Sequence, residues 1–184
     1  MRAHTRVRPY NSVPFDCNLV LIISFPKGVY LLDSPLYVAV IGAGETSPDI
    51  LALAREVGRE VARRGGVLLC GGLGGVMAAA AQGAKEEGGV SIGILPDPDR
   101  SRANPYLTYS LPTNLGHARN VLIAHAADAL IAVDGGHGTI SEAAIGLKLG
   151  KPVIGLHVAW DLPGVRRAAT PAEAVAAAME TLGG

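Results

Sequence analysis

The chain has 184 residues, with 16 Lys and Arg against 16 Asp and Glu, so its formal net charge is zero. That length suits one domain with a real core, and the balanced charge lacks the basic excess of a nucleic-acid binder. With 49% hydrophobic, 17% charged and only 4% aromatic residues, the chain is too apolar for a disordered class, and its core must be aliphatic and alanine-rich.

Residues 1–36 carry Arg2, Arg6 and Arg8, then the apolar run Leu19–Ser24. Basic residues before a short apolar run look like a secretory signal, but no small-x-small cleavage site follows cleanly. The run is also far below the roughly 18 apolar residues of a membrane span. The segment reads as an N-terminal extension, either an edge strand or partly disordered, and the protein reads as cytoplasmic with no membrane partner. Residues 37–184 read as a single Rossmann-like nucleotide-binding domain.

Within that domain, Tyr37–Gly42 is an aliphatic run ending in glycine, as a strand buried on both faces would be. Ser47-Pro48 opens a helix, with Ile50, Leu53, Ala54, Val57 and Val61 at helical spacing and Gly65-Gly66 closing it. Val67–Cys70 is the second strand, and an alanine-rich helix follows from Val76 to Glu86. Val90–Leu95 is the third strand, Asp97–Asn104 a polar loop, and Tyr106–Leu111 a short strand. Asn114 is placed to cap a helix over Leu115–Ala127. Ala129–Val133, a helix to about Leu149, and Pro152–Leu156 make the next unit, and Thr170-Pro171 opens a last helix over Ala172–Leu182. Strands alternating with single helices imply right-handed crossovers and a mainly parallel sheet, that is, an α/β Rossmann-like three-layer sandwich.

Glycine is over-represented, at 24 residues, or about 13% against a background of roughly 7%. Three glycine-bearing loops fall where strands run into helices: Gly42 with Gly44; Gly71, Gly72, Gly74 and Gly75; and Gly135, Gly136 and Gly138. In such a sheet ligands bind beyond the carboxyl ends of the strands. Free N–H groups at glycine-flanked helix N-termini favour an anion there, so the three loops together point to a phosphate site. The first loop lacks the third glycine of a dinucleotide fingerprint, and Cys70-Gly71-Gly72 stands where an acidic ribose ligand is needed, so an NAD enzyme is disfavoured. No ATPase phosphate-loop signature is present. Two cysteines, Cys17 and Cys70, and five dispersed histidines give no metal-ligand spacing.

Thr139 and Glu142, three apart, share one face of the helix that follows the third loop. A carboxylate there can bind sugar hydroxyls, activate water or stabilise an oxocarbenium-like charge, which are the needs of glycosidic cleavage; it can also simply complement the helix dipole. Arg119, with Ile123 one turn on, is a second candidate, its alternative being a surface ion pair.

The motif Gly71-Gly72-x-Gly74-Gly75-Val76-Met77, followed by His117-x-Arg119 and Gly135-Gly136-x-Gly138-Thr139-x-x-Glu142, resembles the LOG family, often mislabelled lysine decarboxylase, and the related molybdenum-cofactor carrier proteins. The likeness covers roughly residues 37–157. It implies a glycine-threonine loop that holds phosphate and an arginine and glutamate, matching Arg119 and Glu142, that serve catalysis in members hydrolysing nucleoside 5′-monophosphates to free base and ribose 5-phosphate. It also implies homodimers or homotetramers. Those active members have His-Glu-Arg-Lys where this chain has His117-Ala118-Arg119-Asn120, and Pro-Gly-Gly where it has Asp134-Gly135-Gly136. The pattern is closest to an uncharacterised branch and to the cofactor carriers. The expected function is therefore binding of a phosphorylated, nucleotide-like ligand, with hydrolysis through Arg119 and Glu142; the alternative is a non-catalytic carrier of a phosphorylated cofactor such as molybdenum cofactor. No further cofactor or metal is required, the bound nucleotide or molybdenum cofactor being the ligand itself. A single-strand DNA-processing module shares the resemblance but would need basic surface and stacking aromatics that this chain lacks.

Overall fold

Four aliphatic runs of this chain are buried on both faces, as the inner strands of a parallel sheet must be. They are β3 (Tyr37–Gly42), β4 (Val67–Cys70), β7 (Ala129–Val133) and β8 (Val153–Leu156). The structure, a computed structural model, describes residues 22–25, 28–31 and 35–180. It divides into two units, Met1–Ser34 and Pro35–Gly184. In the first, β1 (Ile22–Phe25) and β2 (Gly28–Leu31) pair antiparallel, with Ile22 opposite Leu31 and Phe25 opposite Gly28; residues 1–21, including Cys17 and the arginines, lie outside the described residues.

In the second unit, β5 (Ser91–Leu95), β6 (Tyr109–Pro112) and β9 (Arg166–Ala168) complete a seven-stranded sheet of order β6-β5-β4-β3-β7-β8-β9. Every pairing is parallel. The period of two along β3 sends Val38 and Val40 to one face and Ala39 and Ile41 to the other. The first face is covered by α1 (Pro48–Arg63), α2 (Val76–Glu86) and α5 (Pro171–Glu180), the second by α3 (Arg119–Ala126) and α4 (His137–Lys148). This is the expected three-layer α/β arrangement. Among the described residues no helix is long and apolar enough to cross a membrane.

The differences from the sequence expectation lie at the periphery. The fourth strand occupies Tyr109–Pro112 rather than Tyr106–Leu111, because Tyr106 N–H is turned onto the Asn104 side chain and Thr108 onto Ser91 before the chain pairs with β5. Asn114 does not cap a helix: it sits at φ 54°, followed by Gly116 at φ 53°, and a short 3₁₀ turn over Gly116–Ala118 leads into α3. The short β9, Arg-Arg-Ala at the sheet edge, has no apolar run and so no counterpart among the expected strands. The last helix begins at Pro171, capped by Thr170, whose Oγ1 accepts from Glu173 N–H at 3.2 Å; its expected end at Leu182 lies outside the described residues.

Helices α1 and α2 cross closely enough that a Cβ on Gly58 would overlap the Ala80 carbonyl, and one on Gly83 the Arg55 carbonyl. The arginines of α1 are drawn into ion pairs: Arg59 with Glu56 and Glu86, Arg63 with Glu56, Glu60 and Glu87. Gly83→Ala gains about 1 kcal/mol of helix propensity, but the backbone overlap outweighs it. A net loss of about 1–3 kcal/mol is expected, read as a thermal midpoint lower by roughly 3–10 °C; an unchanged or raised midpoint would contradict the close crossing.

Candidate functional site

The order of the sheet reverses between β3 and β7: β4, β5 and β6 extend one way, β8 and β9 the other. Loops leaving adjacent strands at such a point part company and open a crevice beyond the strand ends. A cleft of about 250 Å³ lies there. Gly42 at the end of β3, Ala43 and Gly44 after it, Gly71 after β4, and Gly136, Gly138, Thr139 and Glu142 of the α4 segment line it, with His117 just before α3 and Arg119 and Asn120 at its start.

The N-terminus of α4 opens into this cleft. Gly136 stands at the N-cap with no side-chain cap, and the first turn closes with Ile140 N–H donating to the Gly136 carbonyl at 2.9 Å. The N–H groups of the turn before it are the ones a helix leaves without internal partners. A Cβ on Gly44, Gly136 or Gly138 would meet nothing within 4 Å. Each of the three has room above it, whereas a Cβ on Gly71 would overlap the Arg119 guanidinium and the Met77 sulfur. The loop is braced from two sides. Thr46 Oγ1 donates to Asp134 Oδ2 at 2.8 Å, and the Trp160 indole N–H donates to the Gly135 carbonyl at 2.9 Å. Gly135 itself is at φ 93°, with Thr139 packed over it.

At the floor of the cleft, Arg119 and Glu142 meet. Arg119 is 8% exposed and Glu142 6%, and Nη1 of the arginine stands 3.3 Å from Glu142 Oε1. Nη1 also donates to Asn120 Oδ1 at 2.8 Å and Nη2 to the Gly71 carbonyl at 3.3 Å. Arg119 Nε is buried with no partner at all. An unpaired buried N–H costs about 1–3 kcal/mol, so the guanidinium is not in its best-satisfied arrangement. Burial pushes the Glu142 carboxyl up to about 7, outweighing the opposing pull of Arg119. Burial likewise lowers Arg119 from its ordinary value, against the attraction of Glu142. Just below, burial raises the Cys70 thiol to about 11, so it is an inert core group.

The site residues expected from the sequence thus divide. Gly42, Gly44, Gly71, Gly136, Gly138, Thr139, Arg119 and Glu142 line one cleft, while Gly72, Gly74, Gly75 and Gly135 stand in the turns behind it. Gly72, Gly75 and Gly135 take positive φ there. Glu142 lies in the second turn of α4, beyond the reach of the helix terminus, so it is not there to complement the dipole. Arg119 pairs with Glu142 inside the protein and is no surface ion pair. His117, Asn120 and His137 also line the cleft; their positions inside the quoted motifs were the available signal. Among the described residues no cluster of His, Cys, Asp and Glu could hold a metal ion.

A model of the SLOG cluster4 family matches residues 35–181. An uncharacterised protein of Archaeoglobus fulgidus is 48% identical over 140 residues, covering 76% of this chain and 92% of that protein. Among solved structures, the molybdenum cofactor binding protein of Rippkaea orientalis superposes with TM-score 0.77 at 34% identity, covering 82% of this chain and 99% of the other. The molybdenum cofactor carrier protein of Chlamydomonas reinhardtii does so with TM-score 0.73 at 35% identity, covering 82% and 100%.

With Glu142 held up at about 7 against an ordinary 4.5, the folded chain keeps a proton that the unfolded chain releases between those values. That contribution to stability is complete below about pH 4.5 and is lost as pH rises through about 7. The thermal midpoint of the protein is therefore expected to fall between pH 5 and 8. Glu142→Gln, which copies the protonated form, flattens that stretch. Carbon-13 NMR of the carboxyl is the direct check: Arg119→Met moves its midpoint higher still, and a wild-type midpoint near 4.5 would sink the assignment.

Proposed function

From the premise that the chain belongs to the SLOG cluster4 family, we propose that its cleft binds a small phosphorylated, nucleotide-like ligand and carries it unchanged. The observation that carries this is the uncapped N-terminus of α4, with free space above Gly44, Gly136 and Gly138. Unpaired N–H groups and the helix dipole favour an anion by roughly 0.3–1 kcal/mol when exposed and up to about 2 when partly buried. Thr139 adds a hydroxyl and Arg119 a positive charge in the same cleft. Glycine at the three open positions lets phosphate oxygens approach the backbone.

Two structural neighbours, matched over nearly their whole length, are described as a molybdenum cofactor binding protein and a molybdenum cofactor carrier. They support carriage rather than turnover, with molybdenum cofactor as a candidate cargo. The unpartnered Nε of Arg119 fits a group that changes its hydrogen bonds when a ligand enters.

One observation favours the second reading, hydrolysis of nucleoside 5′-monophosphates. A buried carboxyl held near 7 beside an arginine can exchange a proton at neutral pH, and there Glu142 would assist cleavage of the glycosidic bond while Arg119 holds the ribose phosphate. The protein acts as a homodimer or homotetramer, in line with Tyr109 and Leu111, two apart on the outer strand β6, standing 61% and 50% exposed. Light scattering is expected to give a dimeric or tetrameric mass, and a monomer would contradict this.

Calorimetry with ribose 5-phosphate and AMP is expected to show binding to the wild type. Gly138→Val, which fits the empty fold, should keep the thermal midpoint within about 2 °C and weaken binding at least about tenfold, or about 1.4 kcal/mol. Unweakened binding would remove the α4 terminus from the site. AMP incubated with the protein is expected to stay intact; release of free base, suppressed about 10²–10⁴-fold in Glu142→Gln, would establish the hydrolase instead.

A further inference from the structure

Behind Arg119 the cleft has a neighbour. A second cavity, of about 370 Å³, lies beyond the ends of β4 and β5 and shares His117, Arg119 and Asn120 with the first. Its other walls are Leu73, Pro96, Asp97, Arg102 and Gly116. These walls are tied together by backbone: Asn104 N–H donates to the Gly72 carbonyl at 3.0 Å and its Nδ2 to Leu73 at 3.1 Å, while Asn114 and Gly116 N–H donate to the carbonyls of Asp97 and Pro96 at 3.0 Å. The cavity is therefore built before any ligand enters.

Besides Arg102, His117 and Arg119, two polar side chains bear on a ring there. Asp97 is the carboxylate of the cavity and can only accept when ionised. Arg102 Nη1 donates to Oδ1 at 3.1 Å and to Oδ2 at 3.5 Å from a side chain 65% exposed, a pair that still leaves lone pairs of the carboxylate for a ligand. Asn120 has its Oδ1 taken by Arg119, so its amide N–H groups are what it has to give. Leu73 and Pro96 supply apolar surface suited to the faces of a flat ring. Arg102 and Arg119 line the cavity too, so the direction of the ligand follows from the helix terminus instead: anion towards α4, ring towards Asp97.

We propose that this second cavity receives the heterocycle of the carried ligand and that Asp97 selects a 2-amino-4-oxo-pyrimidine edge, as in guanine or a pterin. That edge offers adjacent ring and exocyclic N–H donors to one carboxylate and a carbonyl oxygen to an amide donor. Adenine offers a bare ring nitrogen at the same place, which a carboxylate repels. The inference rests on the phosphate end lying at α4, and Asp97 is a specificity-determining residue outside that end.

The test is calorimetry on the full chain with ribose 5-phosphate, AMP, GMP and 6-hydroxymethylpterin phosphate, for wild type and Asp97→Asn. In the wild type GMP, the pterin phosphate or both are expected to bind at least about tenfold tighter than AMP, and which of the two does so identifies the ring. Asp97→Asn should bring them within about threefold of AMP while leaving ribose 5-phosphate affinity and thermal midpoint unchanged, since an exposed ion pair contributes little to stability. Equal binding of AMP and both 2-amino-4-oxo ligands, or a preference that survives in Asp97→Asn, overturns the inference. Failure of ribose 5-phosphate to bind, with an Asp97-dependent ring preference intact, overturns the phosphate site and leaves this one standing.

Discussion

Arg119 and Glu142 face each other at the bottom of the cleft, both almost sealed from water, and the surroundings are shaped to hold them there. A buried ion pair gains little on its own account, because desolvation consumes most of the Coulomb attraction. Here desolvation is strong enough to push the Glu142 carboxyl towards its neutral form. What keeps the pair in place is apolar and steric. Ile123, fully buried one turn beyond Arg119, seats α3 against Ile41 and Leu69 of the sheet, and Ala143 beside Glu142 seats α4 on the same layer. Gly71, without a side chain, leaves room for the guanidinium at the end of β4. One omitted methyl group thus couples a strand end to the helix that carries the arginine.

The same economy of motion holds for the rest of the site. Lys151, just before β8, donates to the carbonyls of Ala124, His125 and Ala127 and so closes the C-terminal end of α3, whose other end presents Arg119. Thr46 and Trp160 grip the Asp134-Gly135 turn from opposite sides. A cleft whose walls are fixed in advance binds without ordering loops, which preserves affinity for a small ligand. That suits holding a ligand, and it suits placing a proton donor.

Much of this was legible in the sequence, for identifiable reasons. Inner parallel strands are aliphatic almost throughout, so β3, β4, β7 and β8 declare themselves by composition. The peripheral strands do so less: β9 is Arg166-Arg167-Ala168 and gives no apolar run, and β6, half exposed, is expected from the sequence three residues too early. Asn114 looked like a cap because Asn caps helices, but it turns through a left-handed conformation ahead of Gly116 instead. The glycine loops, Thr139, Arg119 and Glu142 could be chosen from residue type and spacing. That Arg119 touches Glu142, 23 positions away, depends on how α3 and α4 settle side by side, and no local pattern encodes it. The second cavity was invisible for the same reason: Asp97 and Asn120 become neighbours of one space only when the loops after β5 and before α3 fold over β4.

The central claim is that an anion sits on the N-terminus of α4. Amide NMR of the nitrogen-15 labelled chain titrated with ribose 5-phosphate tests it most directly, because each N–H reports separately. The expected result is saturable shifts concentrated at the amides of Gly44, His137, Gly138 and Thr139. Binding that leaves those amides unmoved, or shifts spread instead over the arginine-bearing face of α1, would contradict it.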